Sequence, residues 1–269
     1  MTLVPAHARA VGEIRASFLA SGGRTSVDKL FETGGLRLRF PNAPGGLEGV
    51  IVNTGGGVAG GDTASYDFLA SEGARVTLTT QSAEKIYRAQ AEAAEINVSL
   101  RVREGAALEW LPQETIMFAG AKLKRRLDVD LAEDAALTLV EPIVFGRLAM
   151  GELSIEGSLR DRWRVRRNQQ LVFAEEFRIE GEIGETLDRP AVGRKGRATA
   201  LMLHVAPGAE GMADPVREAL RDAACECAVS AWNGMLVSRF VSPAPEVQRL
   251  AIMLAMRALR GQDAPRVWT

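Results

Sequence analysis

Apolar and polar positions alternate along most of the chain, and this period of two predicts strands. Leu36-Arg37-Leu38-Arg39-Phe40 alternates strictly until Pro41 stops it, and a loop through Pro44-Gly45-Gly46 follows. Residues 1–25 carry no strong period and end in the turn signal Gly22-Gly23-Arg24-Thr25. Three later segments share one plan. Each places a short acidic turn (Ser71-Glu72-Gly73-Ala74, Arg103-Glu104-Gly105-Ala106, Ala132-Glu133-Asp134-Ala135) between two alternating strands. Similar spacings between those turns mark stacked supersecondary units. The fold expected is mainly β, with layered β-hairpins in a β-helix-like stack over about residues 26–205.

Helical signals come late. Asp214-Pro215 opens one helix, and Ser242-Pro243 opens a second over about residues 244–260, ended by Gly261. Its expected buried stripe is Val247, Leu250, Leu254 and Ala258. Between the helices, CAVSAW and MLVSRFV flank Asn233-Gly234, a strong hairpin signal. A helix-hairpin-helix part over about residues 214–260 should pack on the stack, making residues 1–269 a single domain.

Strand parity then locates candidate chemistry, because alternate side chains face the core. Leu108, Trp110 and Pro112 share a face that Glu114 continues, and Leu137 and Leu139 share a face that Glu141 continues. Val76 and Leu78 lead in the same way to Thr80 and Ser82. Glu175 lies among Leu171, Phe173, Phe177 and Ile179. A carboxylate on an apolar face is costly unless paired, hydrated or protonated. Two readings stay open: a polar, watered interior track, or separate salt bridges with Arg88, Arg147 or Arg178 as counter-ions.

The run NTGGGVAGGD, residues 53–62, holds five glycines and ends in Asp62. It matches G-x-G-x-x-G, but β-prone residues follow instead of the helix whose amides would hold a pyrophosphate. No Gly-Lys-Ser/Thr closes it as a phosphate loop. A tight corner between strands is the reading that remains.

Composition narrows the function classes. With 33 basic and 34 acidic residues, net charge gives no general attraction to nucleic acid or membrane surfaces. RDRWRVRR, residues 160–167, puts Arg162, Arg164 and Arg166 on one face and Trp163 and Val165 on the other, as a solvated or partner-facing strand does. No long apolar run or signal-peptide core exists, so the expected compartment is the cytoplasm. His7 and His204 are the only histidines, and Cys225 and Cys227 the only cysteines. These cannot make a four-ligand zinc site of the usual spacing, and the Cys pair reads as two small buried residues. Any metal handled here needs oxygen ligands. His204 sits inside the apolar strand LMLHVA, leaving no Ser/His/Asp or Cys/His arrangement. Paired glutamates such as Glu114 and Glu141 suit a carbohydrate-active enzyme on a β-stack, the alternative function. The 6% aromatic content supplies few stacking platforms for sugars, which favours a binding or handling protein.

Seven blocks together resemble one family: GLRLRFP, NTGGGVAGGD, LTTQSAEKIYRA, LEWLPQETIMFAGAKLKRR, LVEPIVFGRLAMGE, SAWNGMLVSRF and the terminal PRVW. They look like the urease accessory protein UreD, also called UreH, in the same order from about Leu36 to Trp268. The resemblance implies a mostly β protein with two helices and no catalysis of its own. It implies a scaffold and metallochaperone that binds UreF, reaches the GTPase UreG through UreF, and docks on apo-urease. Ni²⁺ released by UreG would cross an internal tunnel toward the urease active site, with no cofactor tightly bound. The family motifs fall here on Asp62, Thr79, Thr80, Gln81, Glu114, Glu141 and Arg147. Parity adds Ser82 and Glu175, so the expected metal path is Asp62, Glu114, Glu141 and Glu175, supported by Thr80, Gln81, Ser82 and Arg147. Glu84 departs from the small or neutral residue of the family pattern and is left out of that set. A conduit must release its ion, and hydrated carboxylates do so more readily than a closed thiolate-imidazole site.

Overall fold

A computed structural model describes residues 9–42, 46–152 and 155–269; His7 and the Pro44-Gly45 turn fall outside them. The strands are β1 (Val11–Ser21), β2 (Arg24–Thr33), β3 (Leu36–Arg39), β4 (Leu47–Asn53), β5 (Thr63–Ala70), β6 (Arg75–Thr80), β7 (Glu84–Ile86), β8 (Ala94–Val102) and β9 (Ala107–Leu111). They continue as β10 (Thr115–Met117), β11 (Lys122–Leu131), β12 (Ala136–Phe145), β13 (Glu156–Arg167), β14 (Gln170–Glu182), β15 (Ala198–Val205), β16 (Glu226–Trp232) and β17 (Met235–Ser242). The α-helices are α1 (Ile183–Asp188), α2 (Ala213–Ala219) and α3 (Pro245–Arg260).

Two sheets face each other. One has the order β14-β13-β11-β8-β5-β1-β2; the other runs β16-β17-β15-β12-β9-β6-β4-β3, with β10 and β7 continuing from β12. The expected β-helix-like stack is present, and the acidic turns act as arches between the sheets. Each carries the chain from a strand of the first sheet into one of the second: β5 to β6, β8 to β9, β11 to β12. Within these coils β5, β8, β11 and β13 pair in parallel in one sheet and β6, β9 and β12 in the other, whereas β12/β15 and β13/β14 beyond them are antiparallel. Tyr66, Val98, Leu127 and Trp163 line up across four strands, as do Ala64, Ile96, Arg125 and Asp161.

The inward sides of these strands form the main core, where Phe18, Phe68, Leu78, Leu100, Leu108 and Trp163 are almost wholly buried. Burial of such a side chain contributes about 1.5–3 kcal/mol. A second apolar layer lies on the outer face of the larger sheet, joining Leu111, Val140, Met202, Leu236 and Phe240 to residues of α2 and α3.

Three local expectations need correction. β1 lies in the stretch that carried no strong period; its buried positions are Gly12, Ile14, Ala16 and Phe18, two of them too small to register as apolar alternation. Leu171 is 53% exposed because the β13/β14 register slips at Val165 and Arg166, taking it off the face of Phe173. Helix α3 buries Gln248, Ala251, Ile252, Ala255 and Met256, while Leu250 and Leu254 are 62% and 43% exposed. The helix is turned by about one residue, roughly 100°, from the expected stripe. Small alanines on the buried side let it approach the sheet, and the bulky leucines face out. The Asn233-Gly234 hairpin is as expected, with both residues at positive φ.

The glycine-rich corner between β4 and β5 is tight for a stated reason. A Cβ on Gly60 would stand 2.5 Å from the Ala89 Cβ and 2.6 Å from the Glu92 carbonyl oxygen. Gly56, Gly57 and Gly61 take positive φ, which L side chains rarely adopt. Replacing Gly60 by Ala should lower stability by about 1–3 kcal/mol, the usual cost of overpacking, in urea titrations followed by circular dichroism. An unchanged midpoint would mean that this close approach does not constrain the fold.

Candidate functional site

Between the two sheets the apolar core is interrupted by a buried charge cluster. Arg125 of β11 directs Nε to Asp161 Oδ1 at 3.0 Å and Nη2 to Asp161 Oδ2 at 2.5 Å. Its Nη1 donates to Glu141 Oε2 and, at 3.3 Å, to the Thr115 hydroxyl. Trp110 Nε1 donates to Glu141 Oε1 at 2.7 Å, and Trp163 Nε1 to Asp161 Oδ1 at 3.2 Å. Arg125, Glu141 and Asp161 are each no more than 5% exposed. Burial pushes the Glu141 carboxyl above its usual range, against the pull of Arg125. Burial also works against the Arg125 charge, but Asp161 and Glu141 more than restore it.

The cluster borders a cavity of about 210 Å³ whose lining includes Glu141, Asp161 and Glu175 within walls such as Ile143, Trp163, Phe177 and Leu201. Glu175 reaches it from β14 and accepts from Arg239 Nη2 of β17 at 2.5 Å. Arg239 is thus the counter-ion; of the arginines expected in that role, Arg147 pairs with Glu152 and Arg178 with Glu180. Arg239 is half exposed and Glu175 largely buried, so this pair sits where the cavity meets solvent.

Tyr66 of β5, its ring 5.8 Å from that of Trp110, faces the fields of two carboxylates. Burial raises its phenol first, and the charges of Glu84 and Glu141 raise it further. Glu84 accepts from Asn53 Nδ2 at 3.2 Å on both oxygens, and burial lifts its carboxyl against that hydrogen bond. Glu84 thereby joins the site, in contrast to the expected set, which does not include it. With Asn53, Gly56, Thr80, Gln81 and Ser82 it lines a small crevice under the glycine corner. The Thr80 hydroxyl accepts from the Gln113 amide at 2.9 Å, and Gln81 and Ser82 are exposed.

The remaining expected residues lie elsewhere. Asp62 clamps the glycine corner, accepting from the backbone amides of Ala10 and Ala59 at 2.8 Å each. Glu114 points away from Glu141, because alternation ends at Pro112. Leu111 already packs in the outer layer, and Glu114 is held there by Arg249 Nη1 of α3 at 2.7 and 2.9 Å. The Arg249 guanidinium lies 4.9 Å from the Trp268 ring centre. Glu114 and Glu141 therefore do not form the carboxylate pair of a glycosidase. Glu114 and Arg147 line an outer groove of about 890 Å³ with Phe118 and Leu148. His204 is half-buried beside the Thr138 hydroxyl at 2.9 Å, and desolvation lowers its pKa. Among the described residues, no three His, Cys, Asp or Glu side chains gather closely enough to cage a metal ion.

A family model described as UreD urease accessory protein matches residues 10–269. The chain belongs to the UreD family. It is 49% identical to the urease accessory protein UreD of Beijerinckia indica, with all of both chains covered. It is 48% identical to that of Bradyrhizobium diazoefficiens over 97% of this chain and 94% of the relative. The Azorhizobium caulinodans protein of the same name is 44% identical over 100% and 99%. UreD membership gives the chain a supporting role in urease maturation. No helix among the described residues is long and apolar enough to cross a membrane.

Two interior residues were missed by sequence reasoning although their signal was present. Arg125 stands among Leu123, Leu127 and Val129, and Asp161 among Leu159, Trp163 and Val165, the same pattern that marked the glutamates. Removing Arg125 leaves two buried carboxylates without their counter-ion, so Arg125→Met should cost about 3–5 kcal/mol in denaturant titrations. A loss below about 1 kcal/mol would mean that the carboxylates do not depend on it.

Proposed function

We propose that this chain is a nickel-delivery scaffold for urease. It binds apo-urease and UreF, reaches UreG through UreF, and conducts Ni²⁺ toward the urease active site. The observation that carries this reading is the inter-sheet cavity, where Glu141, Asp161 and Glu175 interrupt an otherwise apolar interior. Ni²⁺ is cargo here. A divalent ion in a low-dielectric interior needs anionic oxygens along its way. Because Arg125 and Arg239 already neutralise those oxygens in part, the ion meets attraction without a closed cage and leaves again. Tyr66 and Glu84 extend the polar line toward the glycine corner.

The surface assigned to UreF is the outward side of α3. Leu250 and Leu254 are one helical turn apart and exposed, while the opposite side of the helix is anchored in the second apolar layer. Exposed leucines at this spacing suit helix-in-groove or helix-on-helix contact. Their replacement leaves the core intact.

Two measurements test the reading in cells producing urease with UreF and UreG. Glu175→Gln, alone and with Glu141→Gln, should leave the accessory complex assembled while lowering the nickel content of urease about tenfold or more, equivalent to 1.4 kcal/mol on the transfer step. Full nickel loading by the double variant would sink the conduction reading. Leu250→Glu with Leu254→Glu should weaken co-purification of UreF by at least about tenfold. Retained UreF would move its docking surface away from α3.

A further inference from the structure

The arginine run of β13 and the strands on either side of it carry charge that the interior path does not use. The larger sheet is covered on its outer face by α2 and α3, whereas the smaller sheet presents Lys124 and Arg126 of β11, Arg160 of β13 and Arg178 of β14 to solvent. The register sets these cations side by side. Lys124 stands opposite Arg160, and Arg160 opposite Arg178, so one rung holds three positive side chains in a row; on the next rung Arg126 stands opposite Arg162. Directly opposed side chains lie about 4.5–5.5 Å apart at Cβ, and like charges at that spacing repel.

The carboxylates at hand only partly cancel this charge. Glu176 is shared by Arg160 at 2.7 Å and Arg164 at 3.7 Å, and Asp128 by Arg162 at 3.5 Å and Arg166 at 3.9 Å. Glu95 stands opposite Lys124 on β8, but no ion pair joins them. Among the described residues, neither Lys124 nor Arg126 has a carboxylate partner. Anionic groups brought by another molecule would relieve the repulsion.

The pattern also sorts the anions. The outward positions of β11 and β13 hold no aromatic residue on which a base could stack, and the net charge of −1 gives no long-range pull on a phosphate polymer or an anionic membrane. Guanidinium forks on a regular sheet suit carboxylates presented at fixed positions, because each fork can take a carboxylate through two parallel hydrogen bonds. Exposed Leu171, opposite Arg166, adds an apolar contact at the border of the charged rows. Strand β14 also carries Glu175, whose pair with Arg239 stands where the cavity meets solvent, so a body seated on this face lies alongside that opening. We propose that the outer face of β11, β13 and β14 is the docking surface for an acidic face of the protein that receives the ion. The identity of that receiver rests on the delivery reading, in which it is apo-urease.

The test uses a tagged full-length chain in cells producing urease with UreF and UreG. Lys124→Glu with Arg126→Glu should cut co-purification of urease at least about tenfold, while UreF stays bound and the circular dichroism spectrum is unchanged. Lys124→Arg with Arg126→Lys keeps both charges and should hold urease as the wild-type chain does. Wild-type co-purification should also fall between about 0.1 M and 1 M salt, as the screening length shrinks from about 10 Å to about 3 Å. Carbodiimide coupling of the wild-type complex should join the Lys124 amine to an aspartate or glutamate of urease. Urease held equally by the charge-reversed chain, at low and high salt alike, would overturn the docking surface and leave the delivery reading standing. Urease fully loaded with nickel in cells whose wild-type chain neither co-purifies nor couples with it would overturn both. Nucleic acid or lipid held by these cations in place of urease would overturn the choice of partner and with it the proposal.

Discussion

The guanidinium of Arg125 is the constraint on which the interior depends. It extends from β11 of one sheet to Glu141 of the other and also holds Asp161 on the neighbouring strand β13. Taking three charges out of water costs several kcal/mol per ion, and only close, fully hydrogen-bonded geometry offsets that cost. Trp110, Trp163 and Thr115 supply the additional hydrogen bonds, so each partner is satisfied from more than one side. An apolar cluster of the same volume would serve stability as well or better. Keeping ions there makes sense if the interior has work to do for an ion.

From this cluster the rest of the arrangement follows. The parallel stack repeats the same inward positions coil after coil, so one charged rung lies directly against an aromatic one: Arg125 and Asp161 on one rung, Leu127 and Trp163 on the next. The cavity opens where the stack gives way to β14 and β17, and the pair of Glu175 and Arg239 stands at that opening. At the other side, the glycine corner is held by Asp62 and by close backbone approach, which positions Asn53 over Glu84. The glycine-rich loop thus shapes one end of the polar line, although its own Asp62 is a structural clamp.

Much of this was legible from parity alone. The repeated acidic turns announced the stack, and apolar alternation placed Glu141 and Glu175 inside. The failures share one cause, which is that alternation holds only while the strand does. Pro112 ends it before Glu114, and the slip at Val165 ends it for Leu171. In α3 the alanines carry the packing, a signal that volume-based pattern reading ranks below leucine. Arg125 and Asp161 were visible by the same rule that found the glutamates, once basic and acidic residues on apolar faces are counted together. The counter-ions themselves were beyond reach, since Arg239 meets Glu175 from 64 residues away and Arg249 meets Glu114 from 135.

The most direct measurement is anomalous X-ray scattering at the nickel edge from crystals of the chain in complex with UreF, soaked with Ni²⁺. The account predicts partially occupied nickel peaks within the inter-sheet cavity, among Glu141, Asp161 and Glu175. Nickel found only on the outer surface, with that cavity empty at every concentration, would contradict it.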